Sequence, residues 1–155
     1  MSTDWNQIRI KKEELFEQIP QDIKDQFNEV PGIYGIYIQG HLVYVGKSKN
    51  LLGRWIAHKI NTLFDYGQHD YREDKYMIFR EAYNKGYSIE CKPIELCSEH
   101  EISSRERYWI NKEQPILNGG FNSMVHWKGT QFLESLDNAS SKNIKKFLKV
   151  KDISL

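Results

Sequence analysis

Apolar side chains recur at helical spacing over residues 8–28, at Ile8, Leu15, Phe16, Ile19, Ile23 and Phe27. Pro20 either splits this stretch into two short helices or sits in the first turn of the second. Pro31-Gly32 punctuates it. Residues 33–46 are rich in Ile, Val and Tyr with Gln39-Gly40-His41 in the middle, which predicts a β-hairpin. Ser48-Lys49-Asn50 can cap a helix running to about Phe64. Residues 65–72 read as a polar loop. A helix over about 73–85 ends at Gly86, a glycine suited to the left-handed position after a helix. Tyr87 to Leu96 reads as a strand, and Pro93 puts it at a sheet edge or stops it early. Ser98-Glu99-His100-Glu101 reads as a capping box opening a helix to about Lys112, which Pro115 ends. Two further helices are expected over 130–137 and 141–149. These elements predict an α/β fold of the α+β kind, a small three-stranded, mostly antiparallel sheet flanked by helices. Residues 1–30 form an N-terminal helical arm, 31–122 the core and 123–155 a basic helical tail, all in one compact domain.

Composition narrows the class. The chain has 155 residues, 39% of them apolar and 28% charged, enough to bury a core without staples. No apolar run is long enough for a membrane span. Two cysteines, Cys91 and Cys97, exclude a disulfide scaffold and favour a reducing cytoplasm. They lack zinc spacing and read as structural thiols. The net charge is +1, but it is uneven: −3 over 1–30, +3 over 31–66, −2 over 67–118 and +3 over 119–155. An anionic partner is expected to meet 31–66 and the lysines of the tail (Lys142, Lys145, Lys146, Lys149, Lys151).

Three features carry candidate chemistry. In the helix before Pro115, Ile102, Trp109 and Ile110 form one stripe, and Glu106 falls inside it. A carboxylate on a core-facing side is costly unless a cation or hydrogen-bond donors meet it. A structural ion pair explains that as readily as a function does. One carboxylate is too little for two metal ions and enough for one hydrated Mg²⁺. In the helix after Asn50, Arg54 and His58 are i, i+4 neighbours away from the Leu52, Ile56, Ile60, Leu63 stripe. They read as a solvated face or as an Arg placed for a phosphate. In the hairpin, Tyr34 and Tyr44 share a face only if the turn parity allows it. A three-residue loop with Gly40 left-handed sets them opposite each other; a two-residue Gly40-His41 loop puts them on opposite faces.

Together these residues resemble the signature of the GIY-YIG nuclease family. Gly32-Ile33-Tyr34 is followed ten residues on by Tyr44-Val45-Gly46. Lys47 follows the second triplet, as in members from nucleotide excision repair. Arg54 stands ten residues after Tyr44, the spacing of the family's catalytic Arg. His58 holds a place where members carry His or Tyr. Glu106-Arg107-Tyr108-Trp109-Ile110 is similar to the segment bearing the metal-binding Glu, and Asn118 matches a terminal Asn. The resemblance covers residues 31 to about 122.

The resemblance implies a GIY-YIG-like fold and a DNA endonuclease using one Mg²⁺ or Mn²⁺ per site, held by Glu106. It implies Tyr44 as general base, with Lys47 and Arg54 easing its ionisation, and Arg54 stabilising phosphoryl charge. Tyr34 and His58 orient water or phosphate, with His58 the alternative base, and Asn118 buttresses the site. A restriction-type enzyme of a bacterial or phage-infected cytoplasm is the first biological reading. Duplex cleavage by one site per chain suggests a homodimer or successive nicks. The alternatives are a repair or single-strand-specific nuclease and a catalytically silent DNA-binding module.

Overall fold

The computed structural model describes residues 5–63, 74–119 and 122–142. The expected loop at 65–72 and most of the expected helix at 141–149 lie outside these residues. Among the described residues, six helices and three strands follow in the order α1 (Trp5–Gln18), α2 (Gln21–Phe27), β1 (Gly32–Ile38), β2 (His41–Ser48), α3 (Leu51–Leu63), α4 (Asp74–Asn84), β3 (Ile89–Leu96), α5 (Ile102–Glu113) and α6 (Asn122–Lys142). Pro20 separates α1 from α2. The sheet is wholly antiparallel, with order β2-β1-β3. β3 is therefore an edge strand, which accommodates Pro93 opposite Tyr34.

The central strand is buried on both faces, so β1 reads Gly-Ile-Tyr-Gly-Ile-Tyr-Ile with almost no polar residue. Tyr34, Ile36 and Ile38 pack with Leu52, Ile56 and Ile60 of α3 and with Ile78 and Phe79 of α4. Ile8 of α1 and Leu133 of α6 close the same cluster. On the other face Ile33 and Val45 meet Ile102, Trp109 and Ile110 of α5. The sheet is thus sandwiched between a layer of several helices and one helix. Among the described residues, no helix is long and apolar enough to cross a membrane.

Two local expectations change. The run 98–101 does not cap α5 from Ser98. Its hydroxyl donates to the Glu101 carboxylate at 2.9 Å, and Glu101 itself stands in the cap position before Ile102. The break expected after residue 137 is absent, because α6 runs unbroken to Lys142. Asp137 does not end the helix. It anchors it, accepting hydrogen bonds from Lys85 and from the Tyr87 hydroxyl where α4 gives way to β3.

Candidate active site

The hairpin between β1 and β2 sets the geometry. Gln39 and Gly40 have φ of 49° and 79°, the pair of left-handed residues that a two-residue hairpin turn requires. Such a turn alone would put Tyr34 and Tyr44 on opposite faces. A bulge corrects the parity. Tyr37 pairs with Leu42 but Ile36 pairs with Tyr44, leaving Val43 as an extra residue on β2. From there on, Tyr34 faces Gly46, and Tyr44 comes to the Tyr34 side with ring centroids 6.3 Å apart. The shared face holds, but the tyrosines are diagonal neighbours and not directly opposed. Any Cβ on Gly46 would overlap the Tyr34 ring at Cζ and the hydroxyl, so the tyrosine lies flat over the glycine.

α3 brings the next two residues. Asn50 caps it, accepting from Gly53 N at 3.1 Å and from Glu29 N at 2.9 Å, and so fixes the helix against the end of α2. One turn on, the Arg54 guanidinium lies within electrostatic reach of both Tyr34 and Tyr44. His58 is not on a solvated face. It is fully buried, because Tyr34 covers it from the sheet and Tyr76 from α4. The Tyr34 hydroxyl lies 2.5 Å from its Nε2 and the Tyr76 hydroxyl 2.8 Å from its Nδ1. With both ring nitrogens occupied, His58 cannot meet water or phosphate itself. Burial holds it well below the ordinary 6.5, and the Arg54 and Lys75 charges push the same way.

That shift makes stability depend on pH. An unfolded His58 takes up a proton as pH falls through 6.5, while the folded one stays neutral. The stabilisation is fully present above that value and is lost progressively below it, at up to about 1.4 kcal/mol per pH unit for one proton. Urea unfolding at pH 7.5 and 5.5 should show the loss. Equal stability at both would mean that folded His58 protonates freely.

The tyrosines differ in access. Tyr34 is almost wholly buried, which raises its pKa despite Arg54. Tyr44 is partly open and has its pKa raised by burial, with Arg54 opposing and Glu106 adding to the shift. Lys47 does not stand beside Tyr44. Strand alternation sends it to the other face of β2, where its ammonium donates to Ser103 Oγ at 3.0 Å and lies 4.0 Å from Glu106 Oε1. The cation over the Tyr44 ring is Lys75 of α4, at 5.3 Å from the centroid.

Glu106 points inward from α5, half-buried, with the cation that its position demanded. Burial raises its pKa and Lys47 partly offsets this. Asn118 completes the arrangement at the outer edge of β2. Its amide accepts from Val45 N and donates to Val45 O, both at 2.7 Å, and Leu117 N donates to Val43 O. The segment after α5 thus acts as a short strand substitute that holds Tyr44 between its two anchored neighbours.

The seven residues singled out in the sequence therefore form two groups. Tyr34, Tyr44, Arg54 and His58 cluster on the α3 side, and Lys47 and Glu106 on the α5 side. Asn118 ties the strand between them, and the Glu106 charge reaches Tyr44. Lys75 and Tyr76 were missed. Tyr76 sits in an apolar helical stripe like any core aromatic, and His58, read on a polar face, gave no reason to seek a buried partner for it.

No protein-family model and no curated protein matches the chain. Among solved structures, it is similar to the GIY-YIG N-terminal endonuclease domain of UvrC from Thermotoga maritima, a point mutant bound to its catalytic divalent cation. The match covers 66% of this chain and 100% of that one, with 20% identity and a TM-score of 0.39.

Proposed function

We propose that this chain is a metal-dependent DNA endonuclease of the GIY-YIG type that hydrolyses phosphodiester bonds. The observation that supports it best is the convergence at β2 of a half-open tyrosine, an arginine and a half-buried carboxylate from three separate elements. The donor set suits one hard cation. Glu106 offers oxygen ligands in a partly desolvated place, and among the described residues no cluster of three or more His, Cys, Asp or Glu forms a fuller cage. A hydrated Mg²⁺ or Mn²⁺ needs only one or two carboxylates. Bound at Glu106, it would supply Lewis-acid charge at the scissile phosphate.

The chain's own residues do the rest. Tyr44 takes the proton of the attacking water, since it is the tyrosine with access. Arg54 meets the charge that builds on the phosphoryl oxygens. Lys47 holds Glu106 in place, and Asn118 holds the strand. Restriction-type cutting of duplex DNA in the cytoplasm is the setting we favour, by a dimer or by successive nicks. Repair or single-strand cutting is the second setting.

Supercoiled plasmid incubated with the protein should become nicked or linear with Mg²⁺ or Mn²⁺ and remain intact in a chelator. DNA binding without cleavage under any divalent ion would leave a silent binding module and overturn the nuclease. Sequencing the ends separates restriction from the other settings.

A further inference from the structure

A cleft of about 630 Å³ opens where the end of α5 and the segment after it face α6. Its size falls within the range of small-ligand sites, about 300–1,000 Å³. α5 contributes Ile110, Asn111 and, just past its end, Gln114. α6 contributes Lys128, Gln131 and Phe132, which share one helix face at i, i+3 and i+4. Ile116 and Asn118 of the connecting segment complete it.

The lining has an apolar and a polar part. Phe132 and Ile116 pack against the main core, and the Phe132 ring meets His41 of the hairpin edge-on at 5.7 Å, so the apolar part is firmly held. Asn118 spends its amide on both sides of Val45. Asn111, Gln114, Gln131 and Lys128 are exposed, and their side chains make no hydrogen bond or ion pair among the described residues. No carboxylate among the described residues lines the cleft, in a chain with 21 acidic residues. Gln114 stands in the left-handed position after α5, with φ of 46°, a conformation that glycine takes freely and a side chain resists. A glycine would end the helix as well, so the helix end itself gives no reason for a glutamine there.

We propose that this cleft receives one unstacked nucleobase of the DNA strand being cut, adenine in preference, with its ring on Phe132 and Ile116 and its edge on the carboxamides. A carboxamide offers one acceptor and one donor, which match the N6 amino group and N7 of adenine. Lys128 suits a neighbouring phosphate, and with no carboxylate in the lining nothing there repels an anionic strand. A cleft between two helices admits a flat ring only when that ring is out of its stack. Ile110 lies one turn beyond Glu106 on α5, about 5.4 Å along the axis, which places the base within about two nucleotides of the cut.

The place of the base near the cut rests on the nuclease reading; its binding in the cleft does not. Titration of dAMP into the full labelled chain without metal should shift the side-chain amide signals of Gln114 and Gln131, assigned from single substitutions. Inorganic phosphate should leave them in place. Ends cut from random-sequence DNA should be enriched in adenine at one position near the break. Gln131→Ala and Gln114→Gly should each lower the rate on the favoured sequence about tenfold relative to other sequences, the usual size of one lost base-reading pair. Gln114→Gly should melt no lower than the wild type, because glycine suits the left-handed backbone, whereas a purely structural Gln114 would leave the adenine preference intact. Signals that ignore dAMP, or that follow phosphate equally, overturn the proposal. So do cut ends with no adenine bias, or both variants keeping the wild-type pattern. If the wild type cuts nothing, the nuclease reading fails, and dAMP still decides whether the cleft takes a base.

Discussion

Glu106→Gln will fold, bind DNA and fail to cut it. The amide keeps the shape of the carboxyl but lacks the charge that holds a divalent cation. A metal ion contributes several kcal/mol of transition-state stabilisation, so the loss should be at least about 10²-fold in rate. The fold is expected to survive for a local reason. Burial disfavours the Glu106 charge, so a neutral isostere removes a penalty. Lys47 loses a partner 4.0 Å away but keeps Ser103 at 3.0 Å and remains largely open to water. Gel-shift and plasmid-nicking assays on the same preparation check both halves. Cutting by Glu106→Gln near the wild-type rate would refute the assignment of the metal to this carboxylate.

Tyr44→Phe should cost about 10²–10⁴-fold in rate, the usual size of general base catalysis, with little change in DNA binding. His58 is the chemical rival, and the structure argues against it, because both its nitrogens are engaged in a dry interior. Burial and Glu106 raise the Tyr44 pKa while Arg54 opposes them, so the competent phenolate becomes commoner as pH rises. The wild-type rate should therefore climb on the alkaline side, and Tyr44→Phe should lose that climb. Lys47→Met is expected to leave its position unchanged, a reversal of what the resemblance implied, since Lys47 faces Glu106 across the other side of the strand. A Tyr44→Phe enzyme with an intact alkaline limb would hand the proton to another group.

Much of this site was legible in the chain, and the parts that were not share a cause. Gly32, Tyr34, Tyr44, Gly46 and Arg54 stood out through the resemblance that their spacing carries, while the turn residues left open whether Tyr34 and Tyr44 share a face. Glu106 announced itself as a carboxylate in an apolar stripe. The burial of His58 was hidden because helical periodicity ranks the faces of one helix and says nothing of what a second helix lays over them. Tyr76 supplies that cover from 18 residues away. The Val43 bulge was hidden too, since its register is set by pairing across two strands and not by turn residues alone. The continuation of α6 past residue 137 was hidden because the partners that anchor Asp137, Lys85 and Tyr87, are some 50 residues earlier.

The bulge has a consequence for how such a hairpin can change over evolutionary time. Turn length and bulge act as two halves of one parity check on which way Tyr44 points. Dropping a single residue from either place, or gaining one, would turn Tyr44 into the layer beneath α5 and bring its neighbours out in its stead. Two compensating one-residue changes would restore the site while leaving the loop and strand altered. Insertions and deletions in this stretch should therefore be tolerated in pairs and purged when single, within a turn whose two residues must also take up left-handed backbone.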